Sequence, residues 1–217
     1  MSHFAILLAG PVWPTGALRA ELSGARVIAA DAGIAHAEAL GLAPELWVGD
    51  FDSADVKASA RFGGIERLPY PRDKAFSDGE LAVEAAVARG AKSLTLVGGL
   101  GGPRSDHAFM NYLLALRYGA RGISVRLASG LEEAWPMTDT ARRFDLTAGT
   151  TFSILPFSDL SGLTVAGAKW PLDKVELPFH SVLTLSNEAL GMIEVTIQRG
   201  RMILLAQCAA AGKAPGR

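Results

Sequence analysis

Four short segments of this chain carry side chains whose types and spacing suit phosphate and metal chemistry. Gly49-Asp50-Phe51-Asp52-Ser53 follows the apolar Leu46-Trp47-Val48. On an extended chain, residues i and i+2 point to the same side, so Asp50 and Asp52 would project together from the carboxyl end of a strand. Two neighbouring carboxylates repel, and one tends to protonate unless a cation lies between them. Mg²⁺ suits such a pair, because it takes oxygen ligands and shares its shell with substrate phosphates. The alternative is that Asp52 or Ser53 caps the next helix and Asp50 sits in a turn. Ala30-Asp31-Ala32-Gly33 repeats the pattern at the end of the apolar run Arg26–Ala30. Asp31 is either a further metal ligand facing the same crevice or the N-cap of a helix over Ile34–Leu40.

Arg72-Asp73-Lys74-Ala75-Phe76-Ser77-Asp78-Gly79-Glu80 opens another helix. Ser77 through Glu80 has the form of a capping box. The functional alternative has Lys74 meeting a phosphate while Asp78 reaches the cation. Gly98-Gly99-Leu100-Gly101-Gly102-Pro103-Arg104-Ser105-Asp106-His107 lies between a strand and a helix. Glycines let the backbone approach a ligand, and a helix N-terminus favours phosphate. The segment is not a P-loop, since no Gly-Lys-Ser/Thr follows, and it lacks the Rossmann spacing. Arg104 can fork onto phosphate oxygens. Asp106 can accept from a ribose or base or cap the helix, and His107 is a candidate ligand or a structural donor. Further on, Trp170 offers a π face for a cationic heteroaromatic ring, and Ser186 and Asn187 offer mixed donors and acceptors. Core packing for Trp170 and a turn for Ser186-Asn187 are the plainer alternatives.

The elements that must position these residues change character along the chain. Up to Ser129, apolar runs at Phe4–Ala9, Arg26–Ala30, Leu46–Val48, Ile65–Leu68, Ser93–Val97 and Ile123–Leu127 alternate with helical patterns. Those patterns cover Ile34–Leu40, Asp55–Phe62, Gly79–Arg89 and His107–Tyr118. Such alternation predicts an α/β domain over 1–129, with a mostly parallel sheet covered on both faces. After Ser129 the texture is of short β-prone runs at Thr150–Leu155, Leu163–Ala166, Ser181–Leu185, Ile193–Gln198 and Met202–Leu205. They predict an all-β sandwich or barrel over 130–217.

Composition removes several classes of function. The chain has 217 residues, 49% of them hydrophobic, and 21 basic against 22 acidic residues give a net charge of −1. Neither part is basic, which argues against a nucleic-acid partner. The lone Cys208 allows no intramolecular disulfide and no Cys-based zinc site, and it suits a cytoplasmic location. The opening apolar run is expected to be a buried strand, not a signal peptide, and no stretch approaches the length that spans a bilayer.

Taken in order, these motifs resemble the thiamine pyrophosphokinase family. The resemblance rests on Asp31–Gly33, Gly49–Ser53, Lys74–Glu80, Gly101–Asn111, Gly167–Leu172 and Ser186-Asn187, which together span nearly the whole chain. It implies a three-layer ATP-binding domain followed by a β-sandwich, a homodimer, and a thiamine site at the subunit interface. It matches Asp31, Asp50, Asp52 and Asp78 to an acidic Mg²⁺ cluster, with Asp50, Asp52 and Asp78 as candidates for catalysis. It matches Lys74, Ser77, Arg104 and Asp106 to nucleotide-side positions, to which the sequence adds His107, and Trp170, Ser186 and Asn187 to thiamine-side positions. The implied reaction moves pyrophosphate from ATP to the thiamine hydroxyl, releasing AMP. A pyrophosphokinase acting on another ring alcohol such as a hydroxymethylpterin, and a non-catalytic nucleotide or thiamine sensor, are the alternatives. The sequence departs from the family pattern twice: Ala75 stands where the family has an aspartate, and Pro103 separates Gly102 from Arg104.

Overall fold

The computed structural model describes residues 2–51, 62–70 and 76–208. Two compact units are present: Met1–Leu114 with Arg121–Gly130, and Ala115–Ala120 with Leu131–Arg217.

The first unit is built on a parallel sheet. Its strands are β1 (His3–Leu7), β2 (Arg26–Ala30), β3 (Leu46–Gly49), β4 (Glu66–Pro69), β5 (Ser93–Val97) and β6 (Ser124–Ala128). They lie in the order β6-β5-β1-β2-β3-β4, and every pairing is parallel among the described residues. Near-continuous apolar strands of this kind require cover on both faces. One face carries Ala5, Leu7, Val27, Ala29 and Trp47, packed against Leu18 and Leu22 of α1 (Gly16–Leu22) and Ala37 and Leu40 of α2 (His36–Leu40). The other face carries Phe4, Ile6, Ile28, Leu46 and Val48, which alternation turns the opposite way. The helix α3 (Asp78–Ala88) packs on β1, β2 and β3 and contributes nothing to the first cluster, so it covers this second face. The helix α4 (Ser105–Gly119) follows the glycine-rich turn.

Helix α1 adds to the elements expected from the sequence, which are a loop over Gly10–Gly16 and no helix before Arg26. Thr15 starts it by accepting a hydrogen bond from the Leu18 N–H at 3.2 Å. The helix expected over Asp55–Phe62 falls, except for Phe62, outside the described residues, as do Asp52, Ser53 and Lys74.

The second unit is all-β, with strands β7 (Glu132–Thr138), β8 (Ala141–Phe144), β9 (Thr151–Pro156), β10 (Leu160–Ala168), β11 (Leu172–Leu177), β12 (Asn187–Thr196) and β13 (Arg201–Gln207). One antiparallel sheet runs β7-β13-β9, and the other runs β11-β10-β12-β8. Strand β12 belongs to both. Asn187 and Glu188 pair with β9, whereas Glu194–Thr196 pair with β8 and β10. Gly191, at φ 136, lies between those two stretches. The enclosed core includes Phe144, Phe152, Leu163, Ile193, Met202 and Leu204. Strands β7, β8 and β11, which carry the adjacent charged pairs Glu132-Glu133, Arg142-Arg143 and Asp173-Lys174, are additions to the strands expected from the sequence. The strand expected at Ser181–Leu185 is instead a turn. Its Thr184 is held by its hydroxyl to the Ile154 carbonyl at 2.7 Å, and Val182, Leu183 and Leu185 stay exposed.

Candidate active site

Strand order fixes where a ligand fits. The chain runs β1 to β4 in one direction across the sheet, while β5 and β6 lie on the other side of β1. The loops leaving β1 and β5 therefore diverge, opening a crevice at the carboxyl ends of those strands. A cavity of about 710 Å³ occupies this place, within the first unit. Leu8, Ala9 and Gly10 after β1 and Gly98, Gly99 and Gly101 after β5 form part of its wall. Only glycine fits at Gly98, with φ 77 and space so tight that a Cβ would lie 2.5 Å from the Leu8 carbonyl oxygen.

Asp31, Asp50 and Asp78 all line this cavity. Their elements bring them there from distant points of the sequence. Asp31 directly follows β2, and Ala30 of β2 pairs with Val48 of β3, so the residues after both strands emerge side by side. A Cβ on Gly49 would lie 3.4 Å from the Asp31 Cα. The Trp47 indole N–H donates to the Asp31 carbonyl at 2.9 Å and fixes the turn. Asp31 has φ 45, a left-handed conformation that aspartate tolerates better than most residues. It begins a 3-10 turn, Asp31–Ala35, and no side-chain hydrogen bond caps either that turn or α2. The capping alternative for Asp31 is therefore not realised.

For Asp50 and Asp52 to project to the same side, the residue between them must be extended. Strand β3 ends at Gly49, and Phe51 has φ 59, so the backbone turns left-handed between the two aspartates. Phe51 is held there edge-on to Trp47, with ring centroids 5.1 Å apart, beneath the Arg67 guanidinium. Asp50 reaches the cavity; Asp52 lies outside the described residues. Among the described residues, no three Asp, Glu, His or Cys side chains approach closely enough to form a metal group by themselves. What the cavity offers is three oxygen donors on separate elements, the donor type Mg²⁺ takes when phosphates complete its shell.

Ser77 caps α3, accepting from the Glu80 N–H at 3.2 Å, and it also lines the cavity. The cap and the site are thus the same place, and the Ser77 hydroxyl hydrogen remains available as a donor. Arg104, Asp106 and His107 line the cavity as well, so Pro103 does not exclude Arg104 from it. The Arg104 fork is taken by Asp106, with Nε to Oδ1 at 3.0 Å and Nη2 to Oδ2 at 2.7 Å. That fork holds the Asp106 carboxyl well below the usual carboxylate range and raises the guanidinium in turn. Both side chains are exposed, so the pair can exchange partners cheaply. Phe76 and Met110 add exposed apolar surface to the cavity lining, which the sequence reading did not anticipate. Their signal was present only as large apolar side chains beside the capping box and on the helix after the glycine turn.

The thiamine-side candidates all fall in the second unit. Trp170 and Asn187, far apart in sequence, meet reciprocally. The Trp170 N–H donates to Asn187 Oδ1 at 3.2 Å, and Asn187 Nδ2 donates to the Trp170 carbonyl at 2.7 Å. The Trp170 ring is not core; it is 55% exposed. Lys169 Nζ sits 4.9 Å from its centroid and 3.2 Å from Glu188 Oε2. Ser186 has φ 58 and donates its N–H to the Ser153 hydroxyl at 3.0 Å, which sets the turn into β12.

Comparison with known proteins adds an independent line. Residues 21–127 match the family model described as thiamin pyrophosphokinase, catalytic domain, and residues 135–203 match thiamin pyrophosphokinase, vitamin B1 binding domain. A thiamine pyrophosphokinase of Bacillus subtilis (strain 168) is 28% identical over 167 residues, which cover 74% of this chain and 72% of that protein. A crystal structure of thiamine pyrophosphokinase from Bacillus subtilis superposes with a TM-score of 0.85 at 22% identity, covering 96% of this chain and all of that one. Thiamin pyrophosphokinase from Candida albicans gives 0.80 at 12% identity, covering 95% and 90%. At such identities the structural likeness speaks to the fold.

Proposed function

The chain belongs to the thiamin pyrophosphokinase family, enzymes that make thiamine diphosphate, and from that premise we propose that it transfers pyrophosphate from ATP to thiamine with release of AMP. One observation carries the reading. The crevice between β1 and β5 gathers Asp31, Asp50 and Asp78 with two glycine turns and Arg104 in a single cavity.

ATP would lie along the strand ends with its phosphates against the glycine turns, where small residues admit close backbone approach. Asp31, Asp50 and Asp78, with Asp52, would hold Mg²⁺, which would neutralise charge on the phosphates. Arg104 would leave Asp106 for a phosphate oxygen, a trade between two charge-assisted forks. The thiamine hydroxyl would attack the β-phosphorus in line, its proton passing to one of the cavity aspartates. Most of the acceleration would come from holding the two reactants in register. Trp170 would carry the thiazolium. Lys169 Nζ lies 4.9 Å from that ring's centroid, and this supports a face suited to positive charge, with the thiazolium taking the place of the ammonium.

A homodimer agrees with the apolar surface of the second unit. Phe179, Val182, Leu183, Leu185, Leu190 and Met192 are each more than half exposed. Apolar side chains in that number call for a cover, and a second copy is the family's own. No helix among the described residues is long and apolar enough to cross a membrane. The cytoplasm, where ATP is abundant and the lone Cys208 stays reduced, is the proposed location.

The test is incubation with ATP, Mg²⁺ and thiamine, quantifying AMP and thiamine diphosphate. Equal amounts of the two are expected. ADP in place of AMP, or product with a hydroxymethylpterin but not with thiamine, would overturn the reading.

A further inference from the structure

Backbone carbonyls are a hazard in a cavity meant for phosphates, because their oxygens repel the anion. Gly10, Gly98 and Gly99 all line the cavity, and each of their carbonyl oxygens has a donor. The Gly98 oxygen accepts from the Gly10 N–H at 3.1 Å. The Gly99 oxygen accepts from Asn111 Nδ2 at 3.1 Å. The Gly10 oxygen accepts from His36 Nε2 at 2.9 Å.

His36 stands apart from the site's other side chains. It comes from the start of α2, outside the motifs that mark the nucleotide side, and it does not line the cavity. It is half-buried, and burial pulls its imidazole below the ordinary 6.5 while the Gly10 bond works the other way. The acceptor is a carbonyl, so Nε2 carries the hydrogen. The position of Gly10 is in turn critical, since a Cβ there would press on the Gly98 carbonyl and lie 3.3 Å from its carbon.

We propose that His36 is a positioning residue for the triphosphate: its Nε2–H holds the Gly10 carbonyl, so that this oxygen's lone pairs meet a donor rather than the phosphates. The inference rests on ATP being the substrate of this cavity. It assigns His36 no contact with the nucleotide. Its effect passes through one backbone oxygen, and it is specific to ligands that extend phosphates into the β1–β5 crevice. AMP, which lacks the outer phosphates, depends on it less.

The experiment is calorimetric titration of Mg·ATP, inorganic triphosphate and AMP into the wild-type chain, His36→Leu and His36→Gln. His36→Leu is expected to bind ATP and triphosphate about tenfold more weakly, the loss of one hydrogen bond plus exposure of its acceptor. AMP affinity should change less than about twofold, and His36→Gln, which restores an N–H donor of similar reach, should recover to within about threefold of wild type. If the leucine variant does not fold, His36→Asn, one methylene too short to reach Gly10, replaces it with the same expectation. Unchanged triphosphate binding in the folded variants overturns the inference alone. Equal weakening of ATP and AMP in all variants also overturns it, since that marks a general structural loss. A wild-type chain that binds no ATP removes the functional reading and this inference with it.

Discussion

Gly33→Ala is the sharpest test of how the acidic rim is placed. Gly33 belongs to the 3-10 turn that begins with Asp31, and the turn crosses the end of β1. A Cβ there would collide with the Leu7 carbonyl oxygen, lying 2.5 Å from the Leu7 carbonyl carbon and 2.9 Å from the Leu8 nitrogen. These are backbone atoms of the central strand. Leu7 is paired on one side with Ala29 and on the other with Val97, and the Leu8 N–H is bonded to the Val97 oxygen at 2.8 Å. Strand β1 cannot yield, so the turn must lift. Ordinary contact begins at 3.4 Å, which requires a movement of about 1 Å at the Leu7 carbon. Asp31 moves with the turn, and the Trp47 bond to its carbonyl stretches. Overpacking of this kind costs about 1–3 kcal/mol. For a chain of this size that lowers the melting temperature by about 3–10 °C. If Asp31 serves the proposed metal site, displacing its carboxylate by about 1 Å should reduce kcat/KM about a hundredfold. Circular dichroism melting and the AMP-release assay read the two effects. Gly16→Ala is the control, because a Cβ at Gly16 meets nothing within 4 Å. A Gly33→Ala chain that melts within about 1 °C of wild type and turns over within about twofold would refute the reasoning.

Other consequences are as direct. Asp50→Asn keeps the shape of the side chain and removes its charge from the cavity; kcat at saturating Mg²⁺ should fall at least about a hundredfold with an unchanged dichroism spectrum, and a loss under tenfold would take Asp50 out of the chemistry. Trp170→Ala should raise the KM for thiamine about tenfold and leave that for ATP alone, with Trp170→Phe between; equal changes in both would contradict a thiamine role. Burial lowers the pKa of both His3 and His36, with Arg126 adding to the effect at His3. The unfolded chain therefore binds more protons than the folded one below the ordinary value of 6.5, and their contribution to stability is present above that pH and lost as pH falls through the folded values. Urea midpoints measured from about pH 7.5 down to about 5.5 should decline, and His3→Gln or His36→Gln should flatten the decline; a rise on acidification would reverse the sign and reject it.

The sequence reading succeeded where a local pattern had one physical cause. Apolar runs such as Arg26–Ala30 and Ser93–Val97 became strands because a doubly covered parallel sheet leaves them no polar face. The carboxylates after β2 and β3 reach the cavity for the same reason: strand ends in such a sheet open on the ligand crevice. It failed where tertiary context decides. Ser181–Leu185 has β-prone side chains, yet Thr184 alone is drawn inward, by its hydroxyl, and the segment turns. Strands β7, β8 and β11 each carry two adjacent charged residues, Glu132-Glu133, Arg142-Arg143 and Asp173-Lys174, which break the period-2 pattern that marks a strand. Phe51, between Asp50 and Asp52, has a left-handed φ held by packing on Trp47, where the i, i+2 spacing presumed an extended residue; Asp52 itself lies outside the described residues. His36 left no trace in any motif, because its partner is a backbone oxygen that sequence does not display.

The strand order also sorts charge across the crevice. Two of the carboxylates, Asp31 and Asp50, enter from the β2–β3 side, while the β5 side brings the glycine turn and the Arg104–Asp106 pair, whose charges offset each other until Arg104 is drawn to an anion. Such a cleft has a sense of direction: a molecule with a cation bound near one end and bare anionic oxygens at the other is aligned by the field before any contact forms. Its capture rate should accordingly slow as added salt shortens the reach of that field.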